Sequence, residues 1–173
     1  CEGSAQDAAF LSYRDFVESI EVPAGREATW RDFAAWFARM RQSFRNLDPH
    51  QAFEEIRGVL AADAAGVLTR TAYRELGVRQ SIYPAQARDE VYDLFERYCT
   101  WLADAGLYDL NLIAHAWLTR AAPRYDFVVI DEVQDMTPIQ LSLVLRTLKH
   151  PGQFLLCGDS NQIVHPNFFS WSK

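Results

Sequence analysis

Asp131, Glu132, Gln134 and Asp135 follow directly on the apolar run Phe127-Val128-Val129-Ile130, and Gly158 and Asp159 follow on a second run, Gln153 to Cys157. Acids at the C-terminal ends of strands stand where open α/β sheets bind their ligands. A carboxylate at a buried strand tip is partly desolvated and seeks a cation, and Mg²⁺ takes one or two carboxylates together with waters and phosphate oxygens. Asp131 fits that role. Glu132, directed the other way from an extended backbone, can accept a proton from a water that attacks a phosphate, or orient that water. Two other chemistries compete. Acids near a helix N-terminus are favoured by about 0.3–1 kcal/mol, so Asp131, Glu132 and Asp135 can be helix caps. With Asp159 they can also form a metal-dependent nuclease or phosphatase cluster, which leaves Gln134 and Gln162 without a task.

The elements that must position these residues are of two kinds. Up to about residue 124 the pattern is helical. Trp30, Phe33, Phe37, Met40 and Phe44 recur at the spacing of an apolar helix stripe, as do Val91, Phe95, Tyr98 and Leu102. Shorter helices are predicted over Ala52 to Ala62 and Leu110 to Leu118. Breaks fall at Asp48-Pro49, Gly66, Gly77 and Tyr83-Pro84, and Ala105-Gly106 ends the long helix that begins near Pro84. After Pro123 the character changes. The β-branched run at 127–130 predicts a strand covered on both faces, as in a parallel sheet. Thr137-Pro138 supplies an N-cap and a proline at the first helical position, with Leu141, Val144, Leu145 and Leu148 as the buried stripe. A second strand then follows, and strand-helix-strand is a right-handed βαβ unit by default.

The stretch Tyr125-Asp126-Phe127-Val128-Val129-Ile130-Asp131-Glu132-Val133-Gln134-Asp135 resembles the Walker B motif of the UvrD/Rep group of superfamily 1 helicases, a DExQD after an apolar strand. Leu155-Leu156-Cys157-Gly158-Asp159-Ser160-Asn161-Gln162 is similar to the next motif of that family, a strand ending in GDxxQ. The two in order are far more specific than either alone. Upstream, Tyr73-Arg74-Glu75-Leu76-Gly77 and Val91 to Tyr98 look like the end of the helical insertion that family members carry before Walker B. The resemblance implies an α/β fold. A mostly α-helical insertion over 1–108 would precede, over 109–173, part of a RecA-like P-loop NTPase domain with a parallel sheet.

It also implies ATP and Mg²⁺ as cofactors and single-stranded DNA, or DNA with a single-stranded tail, as partner. Asp131 matches the Mg²⁺-coordinating acid and Glu132 the residue that activates the hydrolytic water. Gln134 and Asp135 match positions that link the nucleotide to neighbouring motifs, Gln162 the γ-phosphate sensor, and Asp159 the acid that helps hold its loop. After GDxxQ the chain departs from the family's Ser-Ile-Tyr and reads Ile163-Val164-His165-Pro166-Asn167-Phe168-Phe169-Ser170-Trp171. Phe168, Phe169 and Trp171 are candidates to stack on bases, worth about 1–3 kcal/mol per base, or to pack a core. His165 is a candidate phosphate or base contact, or a hydrogen-bonded structural histidine.

No GxxxxGK[ST] occurs in the 173 residues, so the loop that cradles phosphates is absent from them. The chain is therefore expected to be a piece of a longer helicase, cut at both ends and inactive alone; a degenerate helicase-like scaffold without catalysis is the alternative. With 49% hydrophobic and 23% charged residues it can bury a sizeable core. The net charge of -6 argues against nucleic-acid binding by bulk electrostatics but leaves room for a local groove. Arg39, Arg41 and Arg45 form one arginine-rich helix end, for phosphate contact or for solvation. Cys1, Cys99 and Cys157 lack zinc-site spacing, which suits a reduced compartment. No apolar run approaches the roughly 18 residues of a membrane span, and no leader is visible, so a cytoplasmic location is expected.

Overall fold

The computed structural model describes residues 10–158, and the chain is of mixed α/β class, with helices and two small parallel sheets. Two apolar cores organise it. The first is built on α2 (Trp30–Met40), α3 (Pro49–Glu55), α4 (Arg70–Arg74) and α5 (Arg88–Ala105); α1 (Tyr13–Ile20) belongs to the second. Capping accounts for where these helices begin. Thr29 and Asp32 close a capping box on α2. Bidentate pairing with the Arg26 guanidinium, added to the Thr29 bonds, holds the Asp32 carboxyl well below the usual carboxylate range. Asp48 caps α3 ahead of Pro49, and Gly106 ends α5 in the left-handed conformation, at φ 63°.

The two predicted stripes pack together in the first core. Phe33 is buried against Phe37 and Tyr98, and Trp36 stacks on Trp101 with centroids 4.9 Å apart. Burying each such ring contributes about 1.5–3 kcal/mol. Two expectations are corrected. Phe44 is buried but lies beyond α2, in turns fastened by Ser43 N–H to the Met40 carbonyl and Leu47 N–H to the Phe44 carbonyl. The helix expected to run to Ala62 widens after Glu55 into a π-turn, Ile56–Leu60, closed by Ala61 N–H onto the Ile56 carbonyl at 3.0 Å.

The region before residue 124 is not wholly helical either. β1 (Arg26–Glu27) pairs in parallel with β2 (Leu107–Tyr108). Two-residue strands carry no readable periodicity, and their pairing is non-local. The approach requires a glycine, because Gly25 has φ 88° and a Cβ there would run into the Gly106 carbonyl.

The second core gathers α1, α6 (Leu110–Trp117), β3 (Val128–Ile130), α7 (Pro138–Arg146) and β4 (Phe154–Leu156). β3 and β4 are parallel, with Val128, Val129 and Ile130 opposite Phe154, Leu155 and Leu156. The strand-helix-strand order is thus as expected, but only one face of the sheet is covered among the described residues. Ile130 is 7% exposed, whereas Phe127, Val129 and Leu155 are more than half exposed. Side chains alternate along a strand, and an all-apolar run does not reveal what lies over its second face. On α7 the buried stripe is Ile139, Gln140, Leu143 and Val144, with Leu148 just beyond the helix; Leu141 and Leu145 are half-buried. The shift follows from Thr137, whose cap sets the first turn and so the face turned to α6.

Candidate functional site

Ile130 anchors the end of β3 in the core, and the chain emerges at Asp131 and Glu132, both exposed. Asp131 is exposed at the strand tip, where partial desolvation was expected. Glu132 has φ 50°, the one non-glycine residue with positive φ among the described residues. A non-glycine residue in that region carries a strain of order 1–3 kcal/mol, and such strain concentrates at functional sites. The bend lets Val133, fully buried, drop into the core and start a single 3₁₀ turn, Val133–Asp135.

Hydrogen bonds hold this turn. Asp131 Oδ1 accepts from the Glu132 N–H at 2.9 Å, and Gln134 Nε2 donates to Glu132 Oε2. The Asp135 and Met136 N–H groups donate to the Glu132 and Val133 carbonyls at 2.9 and 3.1 Å. The capping explanation of the acids fails here: no side chain caps the 3₁₀ turn, and α7 is capped by Thr137 in a box with Gln140.

The DExQD turn is clamped to the end of β4. Cys157 N–H donates to the Ile130 carbonyl at 2.7 Å, and Val133 N–H donates to the Cys157 carbonyl at 3.0 Å. Gly158 lies under Gln134, where a Cβ would stand 2.5 Å from Gln134 Oε1 and 3.0 Å from Val133 Cγ1. The Gln134 amide can swing aside, but Val133 cannot, because it is fully buried. Gly158→Ala is therefore expected to destabilise the chain by about 1–3 kcal/mol and to part Gln134 from Glu132. Denaturant unfolding checks it, and an unchanged midpoint would contradict so close an approach.

The structure thus brings Asp131, Glu132 and Gln134 to the tip of β4, with exposed Asp135 in the same turn. Asp159, Gln162, His165, Phe168, Phe169 and Trp171 lie outside the described residues. Among the described residues no three His, Cys, Asp or Glu side chains gather as for a metal. Asp131 keeps one carboxylate oxygen free of hydrogen bonds among those residues. That suits Mg²⁺, which binds through one or two carboxylates and leaves its other positions to water and phosphate. Arg39, Arg41 and Arg45 are exposed or at the helix end and form no salt bridge among the described residues.

Sequence reasoning missed Asn111, which is buried under the turn that follows the acids. Its signal was an amide on the stripe Asn111, Ala114, Trp117, where only apolar side chains were expected.

Comparison with known proteins adds the following. A family model described as UvrD/REP helicase N-terminal domain matches residues 45–168. The chain is similar to the human protein "TPR and ankyrin repeat-containing protein 1", at 28% identity over 105 residues, which cover 57% of this chain and 4% of that protein. The chain thus spans a small part of that relative's length. No solved structure matches it.

Proposed function

The chain belongs to the UvrD/REP helicase N-terminal domain family, and on that premise we propose that Asp131 and Glu132 form half of the ATP-hydrolysing site of a motor that moves on single-stranded DNA. The observation that supports this most is the clamp between the two motifs: Glu132 held by Gln134, Gln134 over Gly158, and Val133 bonded to Cys157. A helix cap needs no such junction. A nucleotide site does, because the groups that meet the γ-phosphate must sit within hydrogen-bond reach of one another.

In this reading Asp131 holds Mg²⁺, which when bound neutralises charge on the phosphates of ATP. Glu132 takes or orients the proton of the attacking water, and Gln134 fixes the carboxylate that does so. Asp135 links the nucleotide site to neighbouring motifs, Asp159 helps hold the following loop, and Gln162 meets the γ-phosphate. The aromatics Phe168, Phe169 and Trp171, with His165, contact the DNA strand. In the same reading the C-terminal part together with α1 is a partial RecA-like domain, and the elements of the first core are the helical insertion.

Without a phosphate loop these 173 residues bind nucleotide weakly and do not hydrolyse it. The test compares ATP hydrolysis by this chain with that of the longer protein containing it, each with and without single-stranded DNA. The expected result is background for the chain and DNA-stimulated turnover for the longer protein. A rate from the chain alone within about tenfold of ordinary enzymes, abolished in Glu132→Gln, overturns the assignment of only half a site. A second reading, a helicase-like scaffold without catalysis, draws on the repeats named in the human relative. It predicts a longer protein with no phosphate loop and no turnover.

A further inference from the structure

We propose that Asn111 is a positioning residue for the acid turn, fastening the Asp131–Asp135 segment to the π-turn of the helical core. The inference rests on the nucleotide-site reading for its functional meaning. Its geometry stands independently.

Asn111 is 1% exposed and uses both ends of its amide. Nδ2 donates to the Arg57 carbonyl, inside the π-turn, at 2.6 Å. Oδ1 accepts from Thr137 Oγ1 at 2.8 Å and from Gln140 Nε2 at 2.9 Å. Its own N–H is held by Asp109 Oδ1 at 2.8 Å, and Asp109 Oδ2 accepts from Tyr98 at 3.1 Å and faces Arg57 Nε at 3.4 Å. Burial, and after it the neighbouring Asp109, push the Tyr98 phenol well above its usual range, so it remains a donor. The chain Arg57–Asn111–Thr137 therefore joins the first core to the second through directional bonds that centre on one buried amide.

Two more bonds run in parallel. His115 Nε2 lies 2.9 Å from the Ala61 carbonyl, and Ile139 N–H donates to the Ala62 carbonyl at 3.0 Å. Three carbonyls at and just after the π-turn are thus taken by α6 and the start of α7. Such bulges occur often at functional sites.

The acid turn is held in front by β4, through Val133 and Cys157, and behind by Thr137, whose hydroxyl rests on Asn111. Packing of α6 on α7 alone would be served by an aliphatic side chain. An amide supplies a donor on one side and an acceptor on the other, which packing does not require. A displacement of the helical core reaches Thr137, and so the turn carrying Glu132 and Gln134, without crossing an apolar interface.

The test is hydrogen exchange in the full chain for Asn111→Ala, Thr137→Val and Thr137→Ser. In the first two, amides of the 132–137 turn are expected to exchange about tenfold faster or more, while those of α5 are unchanged. Thr137→Ser, which keeps the hydroxyl, is expected to match the parent. Faster exchange confined to α7, or raised equally in both cores, or not raised at all, overturns the proposal. If Asn111→Ala does not fold, the Thr137 pair decides alone. In the longer protein Asn111→Ala and Thr137→Val are expected to lower kcat for ATP with little change in KM, and Thr137→Ser to leave both at the parent's values. Loss of turnover in the unmodified protein would defeat the nucleotide reading and leave the exchange result standing.

Discussion

In the longer protein Glu132→Gln is expected to lower the rate of ATP hydrolysis by about 10²- to 10⁴-fold, the usual contribution of a positioned general base, with nucleotide binding little changed. The replacement preserves shape and the contact with Gln134 Nε2, because an amide oxygen accepts as a carboxylate oxygen does. It removes the capacity to take a proton. The loss should fall on kcat rather than KM, since the ground state does not need the base. Single-turnover hydrolysis beside equilibrium nucleotide binding separates the two. Undiminished hydrolysis would remove Glu132 from the chemistry and leave its φ of 50° without a functional account.

The largest effect on stability is expected at Arg88, far from the acids. Its guanidinium, 3% exposed, donates to the backbone carbonyls of Tyr83 at 3.0 Å, Arg74 at 2.9 Å and Leu76 at 2.6 Å, with longer bonds to Tyr73 and Gly77. The same loop is held on its donor side by Glu55, 1% exposed. Its carboxylate accepts from Tyr73 Oη at 2.8 Å, from Ser81 and from the Ile82 N–H at 3.2 Å. Together the two groups satisfy a segment that has almost no regular structure. Arg88→Met removes the shared donor from these buried and part-buried carbonyls and leaves the loop that Glu55 holds without its cationic anchor, and is expected to cost about 3–5 kcal/mol. That corresponds to a fall in Tm on the order of 10 °C. Arg88→Lys should recover little, because one ammonium cannot span a fork of carbonyls. Thermal unfolding followed by circular dichroism measures both variants. A Tm near the parent's for Arg88→Met would mean that water replaces the guanidinium at little cost.

What was legible in the sequence lay in local, repeated or terminal signals. Phe33, Phe37, Val91, Phe95 and Tyr98 showed their faces through helical spacing. Asp48-Pro49, Thr137-Pro138 and Gly106 showed where helices start or stop, because caps act within a few residues. The order strand, DExQD, helix, strand, Gly-Asp was also present, and with it the family.

Only the tertiary structure decided the remainder. No spacing rule marks Arg26–Glu27 as the partner of Leu107–Tyr108, places α1 in the core of the C-terminal sheet, or leaves Val129 and Leu155 exposed. These are contacts between distant residues, and each depends on which surface happens to face which. The acids on which the chemistry turns divide the same way. By its own residues the sequence determined that Asp131, Glu132 and Gln134 follow a strand. The bend at Glu132, the approach of Gln134 to Gly158 and the tether from Arg57 through Asn111 to Thr137 exist only once two cores have packed, because contacts between residues distant in sequence form only where folding brings both partners together.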